Sequence, residues 1–183
     1  MSIRLSKKAS LAFFSLAFVL AGGSFFVRSA LAATGSIYIT PASSSVQNGS
    51  NVTVSVRVNP GATVNGVQAT LNFDTTKLQY VSASTSGSGF GVQLQQTQSG
   101  GTVTMVRGDL SGGVSVDSLI ETVTFKALVG SGSSSLTLTN ANATDASTSA
   151  YTNPSVSGAS VSFTTPAAPP ATCPSGQTGT PPN

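Results

Sequence analysis

The chain has 183 residues, room for one ordinary domain with appendages. Only 7% of them are charged, and there is no His and no Trp. The formal charge of +3 arises at the N-terminus: Arg4, Lys7, Lys8 and Arg28 precede Ala33, after which four basic residues face five acidic ones, a net of −1. A nearly neutral mature chain offers no electrostatic footprint for phosphate backbones, so nucleic acid is excluded as a partner.

The first element is a leader. Three basic residues within Met1–Lys8 precede the uncharged, largely apolar run Ser10–Val27, and Ala30-Leu31-Ala32 then matches the small-x-small pattern of a cleavage site. Residues 1–32 are expected to be a signal peptide cut between Ala32 and Ala33. That predicts a secreted or surface-displayed product with no membrane segment after cleavage. The single Cys173 cannot close an internal disulfide, so the domain must be held by packing alone.

From Gly35 to Thr164 the apolar pattern has period two, broken by Gly, Asn, Ser and Pro. In chain order, the inward positions are Ile37/Ile39, Val52/Val54/Val56/Val58, Val67/Ala69/Leu71/Phe73, Val103/Met105, Val123/Phe125, Leu136/Leu138 and Val161/Phe163. Each run reads as a strand with one dry and one wet face. Weaker strands at 78–83 and 91–97 bring the expected number to about nine. Asp74 is placed to cap one helical turn through Leu78. Many short antiparallel strands without βαβ alternation define an all-β sandwich with jelly-roll topology over 35–164. From Thr165 the prolines and lost periodicity mark 165–183 as a linker or tail, a composition that leads to the expectation of a truncated chain.

Chemistry-bearing residues are few. With no His, no paired nucleophile and base, and five carboxylates scattered over turns and strands, the expectation is a non-enzyme with no cofactor and no metal. Arg107-Gly108-Asp109 spells an integrin-type tripeptide but reads as a turn after a strand. Asn140, Asn142 and Asp145 supply oxygen ligands at a spacing that completes no calcium loop, so they read as a solvated turn. A glycan-binding face would need an exposed aromatic platform. The candidates are Tyr38, Tyr80, Tyr151 and Phe90, with Phe90 in a Gly/Ser loop expected to be flexible.

Three stretches carry a family resemblance. Val64–Leu78 (VNGVQATLNFDTTKL) resembles the cohesin signature, an alternating strand ending in an aromatic-Asp pair and a short turn closed by Leu. Val46–Val58 (VQNGSNVTVSVRV) resembles the Gly turn before the family's second strand, and Ser118–Ala127 (SLIETVTFKA) its late strand. The resemblance spans about 35–164 and implies a nine-stranded flattened jelly roll. It also implies a protein partner of the dockerin type, received on one face of the sandwich, and an association with polysaccharide binding and breakdown.

The outward positions on the strand that this implies are Gln68, Thr70 and Asn72. Thr102, Thr104, Thr122, Thr124 and Lys126 are candidates on other strands. Neutral Gln68 stands where dockerin-binding members can carry an acidic residue, and a Gln/Thr/Asn face lacks the charges that commonly steer a partner. Glu121 departs too: alternation aims it inward beside Val123, and a strand end with access to water is the expected resolution. Two other readings stay open: a carbohydrate-binding module with a glycan as ligand, and a structural or adhesin spacer.

Overall fold

The computed structural model describes residues 35–168, and the expected signal-cleavage site and most of the Pro-rich tail lie outside them. Twelve strands form: β1 (Ser36–Thr40), β2 (Ser43–Gln47), β3 (Asn51–Asn59), β4 (Val64–Asn72), β5 (Leu78–Ser84) and β6 (Val92–Ser99), then β7 (Thr102–Gly108), β8 (Ser118–Ala127), β9 (Ser133–Asp145), β10 (Tyr151–Thr152), β11 (Ser155–Ser157) and β12 (Ala159–Thr164). Among the described residues no helix forms. The nine expected runs are all present. The three additions, β2, β10 and β11, are short and mostly exposed, so no apolar alternation announces them.

The strands make two layers. One sheet has the order β11-β1-β3-β8-β5, the other β2-β12-β9-β4-β7-β6 with β10 paired to β9. Pairing is antiparallel except at β1/β11 and β12/β2. The chain changes layers between β1 and β2, at the cis Thr40–Pro41 peptide. The inward residues of both layers form one core, with Ile37, Val56, Leu71, Met105, Phe125 and Leu136 fully buried. The tilted ring contact of Phe73 with Phe125, centroids 4.8 Å apart, joins β8 to the end of β4. Burying each such side chain contributes about 1.5–3 kcal/mol, and that repeated gain replaces the disulfide this chain lacks.

Local chemistry shapes the turns. The carbonyl of Asp74 accepts from the amides of Lys77 and Leu78, and its carboxylate accepts from the amide and hydroxyl of Thr76, giving the capped turn expected there. Gly100-Gly101 closes the β6–β7 hairpin. Gly100 has φ 54°, and a β-carbon on Gly101 would lie 2.6 Å from the Phe73 carbonyl oxygen, so neither position accepts a side chain without strain.

Four expectations need correction. Glu121 is not at a strand end reaching water. It lies within β8, fully buried, because the β3/β8 register slips between Val56 and Arg57 and turns both Ile120 and Glu121 inward. Arg107 is not in a turn: it continues the inward series Val103, Met105 of β7 and is 1% exposed. Phe90 is not on a flexible loop but buried, held by Ser88, whose hydroxyl donates to the carbonyls of Leu119 and Ile120 and accepts from the Phe90 amide. Asn140 and Asn142 lie within β9, where Asn140 has φ 50° at a register shift against β4, and only Asp145, which ends the strand, belongs to a turn.

Candidate functional site

The eight sequence-derived candidates divide between the two sheets. Gln68, Thr70 and Asn72 on β4 and Thr102 and Thr104 on β7 lie on the outer side of the seven-stranded sheet, brought together by the pairs Thr70↔Thr104 and Asn72↔Thr102, although Thr70 itself is buried, at 7% exposure. Thr122, Thr124 and Lys126 lie on β8, in the other sheet. The first five share a surface; the last three belong to the opposite side.

Register extends the first group to both neighbours. Thr137, Thr139 and Asn142 of β9 stand opposite Asn72, Thr70 and Gln68, while Ser99, Thr97 and Gln95 of β6 stand opposite Thr102, Thr104 and Val106. The result is a four-strand surface of β9, β4, β7 and β6 in rows such as Thr139–Thr70–Thr104–Thr97. Within these rows there is no charged side chain. The β9 and β6 contributions were not singled out from sequence, although both runs read as strands, because alternation says which way a residue points and not which strand lies beside it.

Hydrogen bonds hold this face in place. The hydroxyls of Thr70 and Thr104 meet at 3.2 Å across the strands. The Asn72 amide donates to the Thr139 hydroxyl at 3.0 Å and to the Thr137 carbonyl at 3.3 Å, which ties β4 to β9. One end of the face is different. Gly66 and Gly108 pair there without side chains, Leu94 leans over Gly108, and Leu110 follows in the next turn. Leu94 is 65% exposed and Leu110 90% exposed. Asp109 fixes that turn by accepting from the amides of Ser111 and Gly113 and from the Ser111 hydroxyl, contacts that hold its carboxyl below the usual range.

Beneath the same end lies a charge pair within the core. Arg107 reaches from β7 across the sandwich to Glu121 of β8, Nη2 to Oε2 at 2.7 Å, joining the two sheets. Burial pushes the Glu121 carboxyl up, and the Arg107 guanidinium opposes the shift. Two charges taken out of water are held only because each is the other's partner.

The opposite outer face carries different chemistry. Tyr38 and Arg57, paired across β1 and β3, both bind Asp117: the tyrosine hydroxyl donates to Oδ2, and Arg57 Nε donates to Oδ1 at 2.8 Å. The tyrosine hydrogen bond, then the guanidinium, hold the Asp117 carboxyl low, while Asp117 raises the Tyr38 hydroxyl. The tyrosines share no platform: Tyr38 is in this cluster, Tyr80 is half-buried on the edge strand β5, and Tyr151 stands exposed on β10. Among the described residues no group of three or more Cys, Asp or Glu could hold a metal ion. Asp145 instead caps its own turn through the amides and hydroxyls of Ser147 and Thr148.

Two packed layers of strands around one shared core define an all-β sandwich. The family model for the cohesin domain matches residues 37–162, and the chain belongs to the cohesin family. Solved structures repeat the fold. The non-cellulosomal cohesin of the archaeon Archaeoglobus fulgidus is 18% identical, with TM-score 0.61 over 73% of this chain and 93% of that one. The sixth cohesin of Acetivibrio cellulolyticus scaffoldin B, solved with the Cel5 dockerin, is 18% identical, with TM-score 0.60 over 70% of this chain and 98% of its own. The cohesin module of a Clostridium perfringens family 33 glycoside hydrolase is 14% identical, with TM-score 0.59 over 73% and 97%. No curated protein matches the chain significantly.

Proposed function

We propose that this chain is a secreted or surface-displayed, non-enzymatic recognition module that receives a dockerin-type protein on the outer face of β9, β4, β7 and β6. The observation that carries the reading is the face itself. Four adjacent strands present a continuous surface with Gln68, Asn72, Thr102 and Thr104 around the buried Thr70 at its centre, edged by exposed Leu94 and Leu110. Family membership supports it, since relatives of the same fold occur in complexes with dockerins. Association with polysaccharide breakdown would then come through the partner.

A surface of this composition binds in a particular way. Without charges it gains little from electrostatic steering, so association runs at an ordinary rate and depends weakly on salt. Affinity must come from the apolar end and from amide and hydroxyl hydrogen bonds, which makes Leu94 and Leu110 the energetic anchors and the Thr/Asn/Gln rows the source of register. Binding of a dockerin-bearing protein by the full chain, measured with and without Leu94→Ala and Gln68→Arg, tests this. Loss in both variants with the fold intact is the expected result, and unchanged binding in both would refute the face.

A further inference from the structure

The edges of the two sheets are not alike. β2 and β11 are five and three residues long. On β5 the register shift at Val81 splits the pairing into two runs of three. β6 has eight residues, and beyond its own shift at Leu94 the five residues Gln95–Ser99 pair regularly with β7. Among the described residues, β6 pairs with no strand other than β7, leaving its far side open. It carries no proline and no charge, the devices by which edge strands are ordinarily kept apart.

We propose that β6 is a pairing edge for a second copy of this chain, joined antiparallel about a two-fold axis through Thr97. The unpaired amides and carbonyls of a regular edge specify an extended strand as occupant. A second copy meets that requirement, since its own β6 offers the same unpaired groups over the same regular stretch. Two β6 strands brought together make no like-charge contact, and an isologous pair needs only one surface that complements itself.

Geometry then sets the register. A two-fold axis normal to the sheet keeps the outer faces of both copies on one side, so opposed residues must share a face and one residue must face its own copy across the axis. Centring on Thr97 uses the whole regular stretch. Gln96 then stands opposite Gln98 and Gln95 opposite Ser99, with the four glutamines of Gln96 and Gln98 facing across the junction. Thr97 is exposed, so a changed side chain there does not disturb the core. The continuous sheet would set two recognition faces side by side, although the pairing does not depend on what those faces bind.

Sedimentation velocity of the full chain over a wide concentration range tests this. The chain is expected to dimerise reversibly. Thr97→Lys and Thr97→Glu each place two like charges at the axis and are expected to raise the dissociation constant at least about tenfold. Mixing the two variants is expected to restore dimers, because opposite charges then meet. Thr53→Lys, on the other sheet, is expected to behave as the parent. A parent chain monomeric throughout would overturn the proposal, as would dimers indifferent to both Thr97 charges or variants whose mixture stays monomeric.

Discussion

The two outer faces of the sandwich are built from the same Thr/Ser-rich strands and end with different chemistry. Each has a hydroxyl pair bridging neighbouring strands, Thr70–Thr104 on one side and Thr53–Thr124 on the other. The five-stranded face adds Arg57, Asp117 and Lys126, with Tyr38 and Arg57 fastened to Asp117. The four-strand face of the other sheet adds no charge, and its apolar residues gather at one end. Alternating strands thus secure both faces equally, and only the wet positions tell them apart. Tyr38, Arg57 and Asp117 of the five-stranded face are spent on one another, whereas one end of the four-strand face leaves Leu94 and Leu110 exposed.

The largest effect is expected from cutting the link between the sheets. Arg107→Ala strands the buried Glu121 carboxylate and is expected to cost about 3–5 kcal/mol in chemical denaturation, enough to threaten a marginal domain. Replacing both partners, as Arg107→Met with Glu121→Leu, is expected to recover most of that loss. A double variant no better than the single would show that the pair is not a unit. Phe73→Ala removes the ring that meets Phe125 and is expected to cost about 3–5 kcal/mol as well.

Next come the faces themselves. Gln68→Arg is expected to abolish partner binding while leaving the melting temperature near that of the parent, whereas Thr124→Arg should leave both intact. Arg57→Ala, which breaks a partly exposed pair, is expected to lower stability by no more than about 1 kcal/mol in the same denaturation assay.

The smallest effect is on pH dependence. The Ser147 hydroxyl, with the Thr148 and Ser147 amides, holds the Asp145 carboxyl down at about 2. An ordinary aspartate titrates near 3.9 when unfolded, so this stabilisation is full above about pH 4 and is lost as pH falls towards 2. Asp145→Asn is therefore expected to flatten the acid limb of stability measured by thermal melting. Glu121 runs the other way: its raised folded pKa favours the folded state at low pH, and that contribution fades as pH rises through it. The acid sensitivity of the domain belongs to its surface aspartates.

Most of the fold was legible because burial in a sandwich follows period two. All the inward residues read from Val52–Val58, Val67–Phe73 and Val123–Phe125 are buried. The failures share a cause. Glu121 was read correctly as inward, but its partner Arg107 sits in another sheet, and no periodicity within one strand can reveal a contact across two. Phe90 misled because Gly and Ser around it looked like freedom, whereas Ser88 uses its hydroxyl to pin the loop onto β8. The grouping of the candidate residues was hidden for a related reason. Alternation marked all eight candidates as outward, but strand order leaves no mark in it, so it could not say that Thr122, Thr124 and Lys126 lie on the sheet opposite Gln68, Thr70 and Asn72.

The most direct test of the central claim immobilises the full chain, exposes it to the secreted proteins of the producing organism, and identifies what is retained by the parent, by Gln68→Arg and by Thr124→Arg. A dockerin-bearing protein held by the parent and by Thr124→Arg but lost by Gln68→Arg is the predicted result. Retention by Gln68→Arg with loss by Thr124→Arg would place recognition on the charged face and contradict the account, as would a parent chain that retains no dockerin-bearing protein.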